Sequence, residues 1–241
     1  MPAMHSPAHR PVRTTAPLPG LMLALFAAFA CALASAPAAA RHNHRHSDAA
    51  HSESVAGQFD YYLLTLSWSP TYCLTHSDDQ AQCGSKGYGF VLHGLWPQYQ
   101  DGGYPEYCGA DAPLSAAARR VGESLFPSPR LVGHEWDRHG RCSGLDALGY
   151  FRTADRALAV VQVPAALQTP RQSLLLSAAQ VRAAFRSANP MLEADGIAIA
   201  CTRNELSEVR VCLDQQLRWR SCGRGVRDSC PRGSLRIPAS R

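Results

Sequence analysis

Two short segments, Phe90 to Pro97 (FVLHGLWP) and Gly133 to Cys142 (GHEWDRHGRC), carry the side chains of this chain best suited to chemistry. They supply His93, His134 and His139 together with Glu135 and Arg138. One imidazole that accepts a proton, another that donates one and a cation between them can cleave a phosphodiester without a metal. Histidine suits both proton roles because its unperturbed pKa lies at about 6.5.

If Gly133 to Gly140 is a helix advancing about 100° per residue, Glu135 and His139 stand at i and i+4 on one face. His134 and Arg138 form a second such pair on an adjoining face. The nearest competing pattern is the zinc-protease helix, whose two histidines lie four apart so that both reach one metal. Here His134 and His139 are five apart, about 140° out of alignment, which counts against zinc. The other segment puts His93 at the end of an apolar strand and Trp96 just beyond it, ahead of Pro97. An imidazole at a strand end can point into a cleft, and an indole beside it offers a flat face for stacking a nucleic-acid base. Alone, His93 would more often be structural and Trp96 a core residue. The second segment tips the balance towards function.

These groups sit in a chain that reads as exported. The first 40 residues hold no acid, carry Arg10 and Arg13, and run through an apolar stretch from Leu21 to Leu33 into the small residues Ala34 to Ala40. This is the pattern of a secretory signal peptide, with cleavage expected after Ala38-Ala39-Ala40; a lipoprotein reading through Cys31 is disfavoured by Ala28 and Phe29 ahead of it. No later segment approaches the roughly 18 apolar residues of a membrane span. Removing residues 1–40 lowers the formal net charge from +5 to +3, too small an excess to identify a polyanion partner by itself. It also removes Cys31 and leaves eight cysteines, an even set that in an exported chain implies disulfides, although eight cysteines allow roughly a hundred pairings. The absence of any CxxC pair argues against a zinc ribbon or a thioredoxin-like site.

Residues 41–56 (RHNHRHSDAAHSESVA) are polar and without apolar periodicity, which predicts a disordered linker. Its His42, His44, His46 and His51 have no carboxylate or cysteine framework to fix a metal geometry. A single domain is expected over residues 57–241, with strands at Phe59 to Pro70, Tyr88 to Leu92, Ile197 to Thr202, Glu208 to Leu213 and Gln216 to Trp219. Helices are expected at Leu114 to Leu125, Val132 to Arg141, Ala147 to Val161 and Ala178 to Ala188, the last opened by a Ser177–Gln180 capping box and stopped before Asn189-Pro190. Strands and helices do not alternate regularly, so the fold class is α+β with a mainly antiparallel sheet.

FVLHGLWP and HEWDRHGRC closely resemble the two active-site segments of the ribonuclease T2 family, and YYLLTLSWSPTYC resembles that family's first strand and its following cysteine. The resemblance runs from Phe59 to Cys230. It implies an endoribonuclease acting as a monomer on single-stranded RNA, without cofactor or metal. The 2′-hydroxyl of the RNA would be the nucleophile, giving a 2′,3′-cyclic phosphate that is then hydrolysed to a 3′-phosphate. By position His139 would be the general base and His93 the general acid; His134 would hold the phosphate, Glu135 and Arg138 would attend the transition state, and Trp96 would stack on a base. The family usually has lysine where this chain has Arg138, and arginine keeps the charge but gives up no proton near neutral pH. Gln98 stands where some members carry an acid associated with purine preference, so broad base specificity is expected. The resemblance further implies the disulfides Cys73–Cys83, Cys108–Cys142, Cys201–Cys230 and Cys212–Cys222. Two rivals stand beside this reading: a secreted zinc hydrolase, and a non-catalytic relative binding RNA or a protein in the same cleft.

Overall fold

The computed structural model describes residues 54–240; the expected signal peptide and residues 41–53 of the histidine-rich linker lie outside the described residues. The apolar run after Phe59 forms strand β1 (Tyr61–Trp68), which ends where Pro70 opens a short helix α1 (Ser69–Tyr72). A second short helix, α2 (Gln80–Cys83), is tied back to α1 by the Cys73–Cys83 disulfide. The chain continues through β2 (Phe90–Gln98), α3 (Ala116–Leu125), α4 (Pro129–Arg138), α5 (Ala147–Val160), β3 (Leu174–Ser177), α6 (Ala178–Ala188), β4 (Ile197–Thr202), β5 (Glu205–Leu213) and β6 (Ser234–Ile237).

The strands form one sheet in the order β2-β1-β5-β6-β3, with β4 also paired to β5, and among the described residues only the β5–β6 contact is parallel. The expected α+β class with a mainly antiparallel sheet is the architecture observed. Period-two alternation divides the sheet into two faces. Tyr62, Leu64, Leu66 and Trp68 of β1, with Val209, Val211 and Leu213 of β5, enter the main core beneath the helices. Tyr61 and Leu63 join Cys212 in a smaller cluster on the opposite face, with Trp96 packed against it. Local capping sets the helix starts: Ser115, Ser128, Asp146 and Ser177 each accept a backbone N–H of the first turn, and Ser177 forms the expected box with Gln180.

Three expectations are corrected. The second strand does not end at Leu92 but runs on to Gln98, through His93 and Trp96. The helix expected at Val132 to Arg141 starts at Pro129, fixed by the Ser128 cap, and stops at Arg138; His139 caps it and a 3₁₀ turn covers Gly140–Ser143. Gln216 to Trp219 is not a strand: Asp214 accepts the N–H groups of Gln216 and Arg218 and curls the segment into a turn, leaving one bridge between Leu213 and Trp219. The short strands β3 and β6, four residues each, carry too little alternation to be recognised from sequence. All four disulfides join the pairs the resemblance implied.

Candidate active site

The register of β1 and β2 decides where His93 points. Thr65 is opposite Gly94, but Leu66 is opposite Leu92, so His93 is the extra residue of a β-bulge. In an unbroken ladder His93 would face Leu66 and enter the core, because a slip of one residue exchanges the faces of a strand. The bulge gives that core slot to Leu92 and sends the imidazole to the other face, alongside Trp96.

Gly94 is required for a different reason. A Cβ there would collide with the indole nitrogen of Trp96 and with a carboxylate oxygen of Glu135. That space holds the hydrogen bond from Trp96 Nε1 to Glu135 Oε2, at 2.7 Å, which links β2 to α4. The Trp96 ring lies edge-on to His93 and tilted against His139, with centroids 5.1 Å away in both cases. Both imidazoles are thus held against one indole.

Helix α4 divides its residues between core and cleft. Val132 and Trp136 pack into the core, where Trp136 Nε1 donates to the carbonyl of Ala112 at 2.8 Å. Glu135 is fully buried and His139 nearly so, whereas His134 is exposed, its ring centroid 6.5 Å from that of His139. Arg138 reaches the rim: it donates to the Tyr104 hydroxyl at 3.0 Å and pairs with Glu106 at 2.9 Å. The Cys108–Cys142 disulfide fastens the turn after His139 to the loop that carries Tyr104 and Glu106.

These groups line one cleft of about 430 Å³, together with Gln98, Arg210 and Arg224. All six chemistry-bearing residues expected from the sequence, His93, Trp96, His134, Glu135, Arg138 and His139, border it. Gln98 is buried, its amide nitrogen donating to the carbonyl of Pro97. The indole of Trp96, expected to offer a base an open face, is half-buried between the imidazoles, and the more exposed aromatic ring of the cleft is Tyr104.

Sequence reasoning missed Glu208 and Arg210 on β5. Glu208 Oε1 is 2.7 Å from His93 Nδ1, and Arg210 donates to the other carboxylate oxygen from Nε at 2.8 Å and Nη2 at 2.6 Å. The alternation Glu208, Arg210, Cys212 was visible in the sequence. Its alignment with the cleft depended on register, which was not.

Electrostatics separates the ionisable groups. Burial would lower the pKa of His93, but the hydrogen bond and charge of Glu208, with Glu135 behind it, leave it raised against the opposing Arg210. Burial, Arg138 and the two other histidines push His139 down to about 3. Burial raises Glu135 to about 7 despite His93, the Trp96 hydrogen bond and Arg138. His134 is lowered, by its partial burial and then by Arg138 and His93. One imidazole that favours its proton and another that sheds it therefore share a cleft, the division of labour that paired acid and base catalysis uses. Among the described residues, no group of three or more His, Cys, Asp or Glu side chains is arranged to hold a metal ion.

A disulfide-bonded α+β domain with one mainly antiparallel sheet, helices on one face and a histidine cleft at the edge of the other defines the structural class. The ribonuclease T2 family profile matches residues 59–222, and the chain belongs to that family. A ribonuclease of Aeromonas hydrophila is 46% identical over 108 residues, covering 45% of this chain and 49% of that protein. Ribonuclease DdI of Dictyostelium discoideum is 29% identical over 204 residues, 78% of this chain and 88% of its own. The chain spans about half the length of several curated relatives that it matches. Among solved structures, an RNase-related protein from Calystegia sepium superimposes with a TM-score of 0.62 at 20% identity, covering 76% of this chain and 98% of that one. Trichomaglin, described as an S-like ribonuclease, gives 0.61 at 20% identity, covering 76% and 100%. These two likenesses concern the fold alone.

Proposed function

We propose that residues 57–241 form the catalytic domain of an exported, metal-independent endoribonuclease that cleaves single-stranded RNA through attack by its own 2′-hydroxyl. The observation that carries this reading is the placement of His93 and His139 against the same indole, with opposite proton preferences, in one arginine-bearing cleft.

In this mechanism His139 takes the proton of the 2′-hydroxyl. Its lowered pKa keeps it unprotonated in the empty cleft, and the negative phosphodiester that enters beside it offsets the charges of Arg138, His134 and His93. The 2′-oxygen attacks phosphorus, the bond to the 5′-oxygen breaks, and His93 gives that oxygen its proton. The product is a 2′,3′-cyclic phosphate. In the second step the roles reverse, and water opens the ring to a 3′-phosphate. His134 and Arg138 hold the phosphate, Glu135 lies buried behind it, and Tyr104 with the open part of Trp96 receives a base. Without an acidic side chain at Gln98, base preference is broad. A signal peptide over residues 1–40 and a linker over residues 41–56 precede a domain that acts as a monomer. Among the described residues, no helix is long and apolar enough to cross a membrane.

The test is digestion of RNA by the purified protein in EDTA, with product analysis and with His93→Ala and His139→Ala as controls. Cyclic phosphate ends, intact DNA and a loss of about a hundredfold or more in each variant are expected. Wild-type rates in both variants would remove the proposed roles, and activity abolished by EDTA would favour the zinc hydrolase. A preference above about a hundredfold for one base among dinucleotide substrates, about 3 kcal/mol of discrimination, would refute broad specificity.

A further inference from the structure

His93 lies where three cavities meet, the cleft described above and two others of about 620 and 350 Å³. Its side chain remains 35% accessible, with the indole of Trp96 edge-on to the ring. A proton donor must nevertheless be held to its productive angle, since small misplacements cost large factors in rate. The restraint comes from two strands away. Glu208 on β5 pairs with Ser67 on β1, and Ser67 pairs with Val91 on β2. The short Ser67 leaves room for the Glu208 side chain to cross β1 and meet His93 Nδ1 at 2.7 Å. Its second oxygen is clamped by Arg210, and the Glu208 side chain is only 12% accessible.

We propose that Glu208, braced by Arg210, is the positioning residue of the general acid: it fixes the His93 ring so that Nε2 serves the substrate, and its negative charge retains the proton that the leaving oxygen needs. The proposal rests on the ribonuclease reading above. Neutral His93 keeps its hydrogen on Nδ1 against Glu208, so Nε2 stands ready to take a proton from water in the second step. The raised pKa of His93 and the lowered pKa of Glu208 agree with this pairing. The charged and titratable groups that share these cavities with His93 are Glu205, Glu208 and Arg210 from β5, Arg130, His134, Glu135 and Arg138 from α4, His139 at its cap, Tyr72 of α1, and His76, Asp79, Tyr104, Arg203 and Arg224 from the connecting segments.

The experiment compares the full chain, Glu208→Gln and Arg210→Gln, with disulfides intact, by three readouts. In NMR titrations of the histidine rings, Glu208→Gln should lower the His93 midpoint by about half a pH unit or more and Arg210→Gln should raise it, because the two charges act on the ring with opposite sign. In kcat/KM the alkaline limb should move with that midpoint. A dinucleotide, whose alkoxide leaving group needs a proton, should be cleaved about tenfold or more slowly by Glu208→Gln, while a ribonucleoside 3′-(p-nitrophenyl phosphate), whose leaving group does not, should lose no more than about threefold. An unmoved His93 midpoint, or equal losses on the two substrates, overturns the proposal. If the wild type cleaves neither substrate the ribonuclease reading fails instead, and the titration still judges the pairing of Glu208 with His93. Should Glu208→Gln not fold, the upward shift in Arg210→Gln decides, and its absence counts against the proposal.

Discussion

Replacing Glu135 with glutamine should make the protein more stable at neutral pH while impairing catalysis. Glu135 is fully buried; Oε2 accepts the Trp96 hydrogen bond and Oε1 has no partner. Its pKa rises from 4.5 to about 7, with burial the largest cause. A carboxyl group whose pKa is raised by folding contributes stability in full below its unfolded value and loses it as pH rises through its folded value. Wild type should therefore weaken between pH 4.5 and about 7, and the gap between these values corresponds to about 3 kcal/mol. Glutamine keeps an oxygen for Trp96 and carries no charge to desolvate. Urea unfolding of both proteins, measured from pH 4 to pH 8 with disulfides intact, should show the difference in unfolding free energy growing by about 3 kcal/mol in favour of the variant, or roughly 6–12 °C in melting temperature for a domain of this size. A difference constant to within about 0.5 kcal/mol would refute the reasoning, because the buried group would then carry no pH-dependent charge penalty. Lower cleavage rates in the more stable protein would show that the buried charge serves function at the expense of folding.

Gly94→Ala should disturb the same contact sterically: the new methyl group collides with the Trp96–Glu135 hydrogen bond, and a loss of about 1–3 kcal/mol in stability with at least about a tenfold fall in kcat is expected from near-UV circular dichroism, unfolding and rate measurements. The double substitution Cys108→Ala, Cys142→Ala removes a link closing a separation of 34 residues and should cost about 3–4 kcal/mol in unfolding free energy. It should also reduce kcat more than removal of Cys73–Cys83, which lies away from the cleft, and the two double variants assayed side by side would test that ranking.

The sequence revealed most where a residue's role follows from its neighbours in the chain. The caps at Ser177 and Asn189, the alternation of β1 and the clustering of ionisable groups on α4 are local, and they mark two of the site's walls. What escaped depended on contacts between distant strands. A bulge is set by pairing rather than composition, so β2 seemed to end at Leu92 when it continues through the site. The same dependence hid Glu208 and Arg210, which come from a strand 115 residues beyond His93. The aromatic rim at Tyr104 belongs to a loop held in place by Cys108–Cys142, and nothing nearby in sequence marks it.

His93 is the one residue of β2 with no partner opposite it on β1. No backbone rung of the ladder depends on its identity; the side chain is held instead by Glu208 and by the edge of Trp96. Exchanging this imidazole for another polar side chain should leave the pairing of the sheet intact and cost only its contacts with Glu208 and Trp96, about 1–3 kcal/mol in unfolding free energy. The bulge thus separates the side chain proposed as the proton donor from the backbone pairing of the sheet that presents it.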